Sequence, residues 1–126
     1  MRIVDLERDM SDVIPTATSR DSSYLFTRMT EATLAAARAA PGMRVLDAAG
    51  GLGQDSRALA AYGVVAVCAE PSHRMQALGH LLDARSQGEP LWVRACSEAL
   101  PFGDASFDAA FCKGALDHFD DPVRCI

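Results

Sequence analysis

Basic clusters are missing from this chain: it has 12 Lys and Arg against 17 Asp and Glu, no basic run longer than a pair, and a formal charge of −5. That excludes an electrostatic grip on nucleic acid or anionic lipid and favours small uncharged or cationic ligands. Cys68, Cys96, Cys112 and Cys125 form no C-x-x-C pair, and no His stands at metal-ligand spacing. Neither a zinc site nor a disulfide framework is expected, and the thiols read as reduced, in a cytoplasmic setting. No apolar run reaches membrane-spanning length. Charges at Asp5, Glu7, Arg8 and Asp9 interrupt the N-terminus where a signal peptide would have its apolar stretch. Repeats and low-complexity tracts are absent too. What remains is 126 residues, 49% of them hydrophobic, enough for one domain with a real core.

Residues 1–20 are polar without a sustained period and read as an N-terminal arm; residues 21–126 read as the domain. The stretch 21–40 is rich in helix formers, sets Leu25, Met29 and Ala32 on one face and stops at Pro41-Gly42. RVLD (44–47) is a short strand running into AAGGLG, and QDSRALAAYG is a helix stopped by Gly63. The pattern then repeats. VVAVCA (64–69) is a second strand, and Ser72 caps a helix expected to run to about Arg85 and to bury Met75, Leu78 and Leu82. LWVRA (91–95) and FDAAFC (107–112) are the third and fourth strands, with SEALPFGDAS between them as loop or short helix. Alternating strands and helices with fully apolar strands predict a doubly wound α/β fold on a parallel sheet, which binds ligands at the carboxyl ends of its strands.

VLDAAGGLG is the most informative stretch. Gly50, Gly51 and Gly53 remove the Cβ atoms that would block a ligand, and Asp47 puts a carboxylate at the mouth of the same turn, a pairing suited to a cationic amino-acid group. The plain alternative is a tight strand-to-helix turn with a solvated Asp. Glu70 changes the weighing. It ends the next strand, 23 positions after Asp47, where a ribose diol would be held. A hydride-transferring dinucleotide enzyme could use the same slot, but the third glycine of its loop would fall at Ser56.

These segments, with AEPSHRM after the second strand and SEALPFGDASFDAAF around the fourth, resemble motifs of the class I S-adenosylmethionine-dependent methyltransferases, and the D-x-A-G-G-x-G form resembles their quinone-biosynthesis C-methyltransferase branch. The resemblance covers roughly residues 22–122. It implies a Rossmann-like sheet of which the chain supplies the first four strands, order 3-2-1-4, of the seven in order 3-2-1-4-5-7-6. It implies S-adenosylmethionine as cofactor, with Asp47 and the backbone of Ala49, Gly50 and Gly51 at its methionine part and Glu70 on the ribose hydroxyls. Pro71, Ser72 and Met75 match the next motif, with Met75 either against the adenine or simply in the helix core. Ser97 and Glu98 would border the adenine, and Lys113 to Ala115 would lie near the reactive methyl. Cys96 stands where the family commonly has an Asp that accepts the adenine amino group; a thiol is a poor acceptor.

ALDHFDDP resembles the stretch after the family's fourth strand, where His118 is a proton acceptor beside the substrate or, with Asp117, merely shapes the turn before a helix near Pro122. His73 and His80 are expected on helix surface. Tyr24 either closes over the cofactor or packs half-buried. The expected function is methyl transfer to a small-molecule acceptor, with no nucleic acid, membrane or metal. A non-catalytic, truncated or interaction module and a dinucleotide oxidoreductase fragment are the alternatives. An apolar, unprotected fourth strand would invite a second copy or a second chain, and truncation just as a new helix begins is the favoured account of the missing strands.

Overall fold

Strands β1 (Arg44–Ala48), β2 (Val65–Ala69), β3 (Leu91–Val93) and β4 (Ala109–Phe111) form one parallel sheet in the order β3-β2-β1-β4 in the computed structural model, which describes residues 20–126. The expected arm lies outside the described residues except for Arg20, which opens helix α1 (Arg20–Ala36); α2 is Gln54–Ala61 and α3 is His73–Asp83. Short 3-10 turns follow at Ser97–Ala99, Leu116–His118 and Pro122–Cys125. No helix among the described residues is long and apolar enough to cross a membrane.

Alternation along β1 and β2 divides the core between two faces of the sheet. Val45 and Ala66 meet Val64 and Leu59 on one side, covered by Leu34 of α1 and by Met43. Leu46, Val67 and Ala69 meet Val93, Leu100, Phe102 and Phe107 on the other. Phe102 and Phe107 pack edge to face at 5.0 Å, so the loop before β4 is itself part of the core. Parallel register sets Asp47 beside Cys68 of β2 and Phe111 of β4, and Ala48 beside Ala69, which brings the ends of β1 and β2 level. β4 has β1 on one side and no strand on the other among the described residues, the edge position expected from the first four strands of the family's sheet.

Two helices turn differently from expectation. α1 stops at Ala36, short of residue 40, because Arg38 takes a left-handed φ of 50°, a helix-ending conformation that a sequence without glycine there does not signal. Its inward residues are Thr30, Thr33 and Leu34, whereas Leu25 and Met29 are exposed, as is Tyr24 at 70%, so Tyr24 is no packing aromatic here. In α3, Met75 and Leu78 are partly buried but Leu82 is exposed; the positions turned inward are Gly79 and Asp83. The indole of Trp92 takes the space beside Gly79, and the buried Asp83 carboxylate bonds that indole, so a charged residue occupies the place expected for a leucine.

Candidate functional site

The loop that leaves β1 folds back under the end of β2. Gly50 N–H donates to the Ala69 carbonyl at 3.2 Å, Gly51 N–H to Glu70 Oε2 at 2.9 Å, and Gly53 N–H to the Gly50 carbonyl at 2.9 Å. Glu70 takes a second backbone donor, Ser72 N–H, at 2.8 Å on Oε1, and the Ser72 hydroxyl in turn caps α3 by accepting from Met75 N–H. Glu70 is thereby the link between the Gly-rich loop and the start of α3. Burial pushes its carboxyl up, against these two N–H donors.

Asp47 is 3% exposed and accepts the Ser56 hydroxyl at 2.7 Å. Burial raises its carboxyl from 3.8 to about 7; Asp55 and Glu70 add to the rise, and Ser56 and Lys113 oppose it. Asp47, Ala49, Gly50, Leu52, Gln54, Asp55, Met75 and Lys113 line one cleft of about 220 Å³. Asp47, Ala49, Gly50, Met75 and Lys113 are thus brought together as expected. Asp55 was not expected there: an acid in the first turn of a helix reads as a plain dipole partner. In the fold it is buried, pairing with Lys113 Nζ at 2.5 Å and accepting the Thr30 hydroxyl at 2.7 Å, which ties α1, α2 and the end of β4 together.

The glycines serve different ends. A Cβ at Gly50 would fall 2.4 Å from Cys68 Sγ and 2.8 Å from the Asp47 carboxyl carbon, and one at Gly53 would fall 2.7 Å from the Trp92 ring. Both are therefore required by the protein's own packing, a reason that the reading of all three as clearance did not include. Gly51, at φ 58° with only Met75 Cε 3.5 Å away, is the one with room above it.

Other expected residues lie apart from the cleft lining. Pro71 is buried, and its carbonyl accepts from Arg94. Cys96 is extended and half-buried, its carbonyl accepting Ala99 N–H. The Ser97 hydroxyl is buried with no hydrogen-bond partner among the described residues, and Glu98 Oε1 accepts Asp120 N–H at 3.1 Å. Ala115 is buried after Gly114. His118 sits on an exposed turn, its side chain 57% accessible and Nε2 3.9 Å from Asp117.

Comparison with known proteins agrees with this architecture. The methyltransferase domain family matches residues 46–126. An uncharacterized methyltransferase of Mycobacterium sp. (strain JLS) is 36% identical over 91 residues, 71% of this chain and 34% of that protein. The YcgJ protein of Bacillus subtilis superposes with a TM-score of 0.72 at 25% identity, over 79% of this chain and 43% of its own. Magnesium protoporphyrin IX methyltransferase of Synechocystis PCC 6803, solved with bound SAM, does so at 0.69 and 18% identity, over 87% of this chain and 56% of its own. The chain therefore spans about a third of its curated relative and about half of these solved structures. With the four parallel strands in the order 3-2-1-4, these matches establish that the chain belongs to the S-adenosylmethionine-dependent methyltransferase family, of whose Rossmann-like fold it spans part.

Proposed function

We infer that the cleft takes S-adenosylmethionine and that the chain is the cofactor-binding part of a cytoplasmic enzyme methylating a small-molecule acceptor. The observation that carries this is the pair of buried carboxylates at neighbouring parallel strand ends, Asp47 and Glu70, with the loop that follows Asp47 bonded to Glu70 through Gly51 N–H. The donor set fits. Ser56 bonds one Asp47 oxygen, which leaves acceptor capacity for an ammonium; Glu70 takes one N–H on each oxygen, and an ionised carboxylate has about four acceptor sites, enough for a diol besides. The cleft of about 220 Å³ suits the amino-acid end, with the nucleoside running past Gly51 towards Glu70 and the unpartnered Ser97 hydroxyl.

The bound sulfonium supplies an already activated methyl group. The protein's own part is then alignment: Asp47 and Glu70 hold the two polar ends, Met75 closes over Gly51, and Asp55 fixes Lys113 at the cleft wall, so that the acceptor meets the methyl in line and out of water. Ser97 and Glu98 would border the adenine, with a weaker hold on its amino group at Cys96 than an Asp would give. His118 takes a proton only from an acceptor that reaches its exposed turn.

The test is calorimetric titration of the chain with S-adenosylmethionine and S-adenosylhomocysteine, with NAD as control and Asp47→Ala and Glu70→Ala as negatives. Binding of both sulfur compounds, lost in the variants, is the expected result. Failure of a folded chain to bind them removes the reading. The open β4 edge supports a second reading, in which a further strand from a second copy or another chain completes the sheet and the chain serves as its cofactor-binding module. Light scattering distinguishes the two: a monomer that binds cofactor does not need that partner.

A further inference from the structure

Three residues in five, Ala49 (φ 57°), Gly51 (φ 58°) and Gly53 (φ 73°), are left-handed, so the loop between β1 and α2 is a conformation that the surrounding structure has to hold. Glu70 and Ala69 hold its inner side through backbone N–H groups. On the outer side, Arg57, in α2, donates from Nη1 to the Leu52 carbonyl at 2.6 Å and to Asp83 Oδ1 at 2.9 Å, with the Gly79 carbonyl at 3.4 Å. The Asp83 side chain is 3% exposed, and its other oxygen accepts the Trp92 indole N–H at 2.6 Å. The Trp92 ring fills the space where a Cβ on Gly53 or Gly79 would stand. Arg57, Asp83 and Trp92 do not line the cleft, but Leu52 does.

A buried Arg–Asp pair is weak evidence for stability, since apolar replacements of the same volume often do as well. An apolar group could not bond the Leu52 carbonyl and so set the direction of the peptide joining Leu52 to Gly53. We propose that Arg57, braced by Asp83 and Trp92, is a positioning residue that holds the Gly-rich loop in the geometry the cofactor meets. The proposal rests on the cofactor reading of the cleft, and Arg57 acts through Leu52 without touching the ligand. Misplacing such a loop by about 1 Å is enough to cost roughly a hundredfold in a site that works by alignment.

Arg57→Lys keeps the charge beside Asp83, but its shorter side chain ends one atom short of the Nη1 position that bonds the Leu52 carbonyl, and Trp92→Phe removes only the indole donor. Val64→Ala, a core truncation just before β2 and at the opposite end of that strand from Glu70, serves as a stability control. In the full chain without ligand, amide exchange at Gly51 and Gly53 is expected to quicken about tenfold in Arg57→Lys, the equivalent of one hydrogen bond to a charged group, and less in Trp92→Phe. Leu46 and Val67 are expected to keep the protection seen in the control. Titration with S-adenosylhomocysteine is expected to give a Kd raised about tenfold or more in Arg57→Lys. Loop exchange no faster than in the control, or faster exchange with an unchanged Kd, overturns the proposal. A wild-type chain that binds no S-adenosylhomocysteine defeats the cofactor reading instead, and the exchange measurement still decides whether Arg57 holds the loop.

Discussion

The Ser56 hydroxyl donates to Asp47 Oδ2 at 2.7 Å, and both side chains are closed off from solvent. The position that a dinucleotide loop would fill with glycine thus carries the hydrogen bond that opposes the burial of the β1 carboxylate. Ser56→Ala is expected to move Asp47 further up from about 7 and to cost about 1–2 kcal/mol at pH 8, read by urea unfolding. A loss of the same size at about pH 5, where Asp47 already holds its proton, would contradict the assignment.

Asp47 also sets the sign of a pH dependence. Its carboxyl stands at about 7 in the fold against 3.8 outside it, so between those values the folded chain keeps a proton that the unfolded chain has released. Its contribution to stability therefore falls as pH rises through that window and is lowest above it; Glu70, also raised, adds in the same direction. Asp47→Asn is expected to exceed wild type at about pH 8 by on the order of 2 kcal/mol and to converge with it near pH 4. A difference between the two chains that stays constant with pH would exclude this. A cationic ligand at Asp47 reverses the preference, so the affinity for S-adenosylhomocysteine is expected to increase from about pH 6 to pH 8 in wild type and to stay level in the variant.

Gly50 and Gly51 are expected to respond to alanine for different reasons. Gly50→Ala drives a methyl into Cys68 Sγ and Asp47, an overpacking cost of about 1–3 kcal/mol that Cys68→Ala should relieve in part. Gly51→Ala has space but pays backbone strain of about 1–2 kcal/mol, which Cys68→Ala cannot relieve. Thermal unfolding of the two singles and two doubles checks this, and equal rescue of both would be inconsistent with the packing.

Removing Lys113 leaves Asp55 buried with only the Thr30 hydroxyl. Lys113→Met is expected to cost about 2 kcal/mol, reduced from the fully buried case because the lysine is partly exposed. Adding Asp55→Asn should recover most of it. Additive losses in the double-mutant cycle would mean that the pair contributes nothing.

Strand periodicity and turn residues carried the parallel α/β sheet and the cleft's main wall into view, because apolar strands ending in Asp47 and Glu70 alternate with helices, whereas the strand order came only with the family resemblance. Side-chain direction on the helices was less legible. Leu82 looks like core and Asp83 like surface until Trp92, from a different strand, supplies the partner that draws the acid inward. Asp55 was hidden for a similar reason: its partners Thr30 and Lys113 come from positions 25 earlier and 58 later in the chain, and no local pattern announces them. Gly53 read as clearance for a ligand because the ring pressed against it belongs to β3.

Trp92 is the chain's single tryptophan. Its indole lies between Gly53 and Gly79, bonded to a buried carboxylate, with the His80 ring 5.3 Å away. Excited at the red edge of indole absorption, where the two tyrosines contribute little, the protein therefore emits from one fluorophore seated against the outer surface of the Gly-rich loop. Any rearrangement of that loop changes the polarity and collisional quenching around one known ring, so the fold contains its own optical probe, readable in real time without a dye or a label.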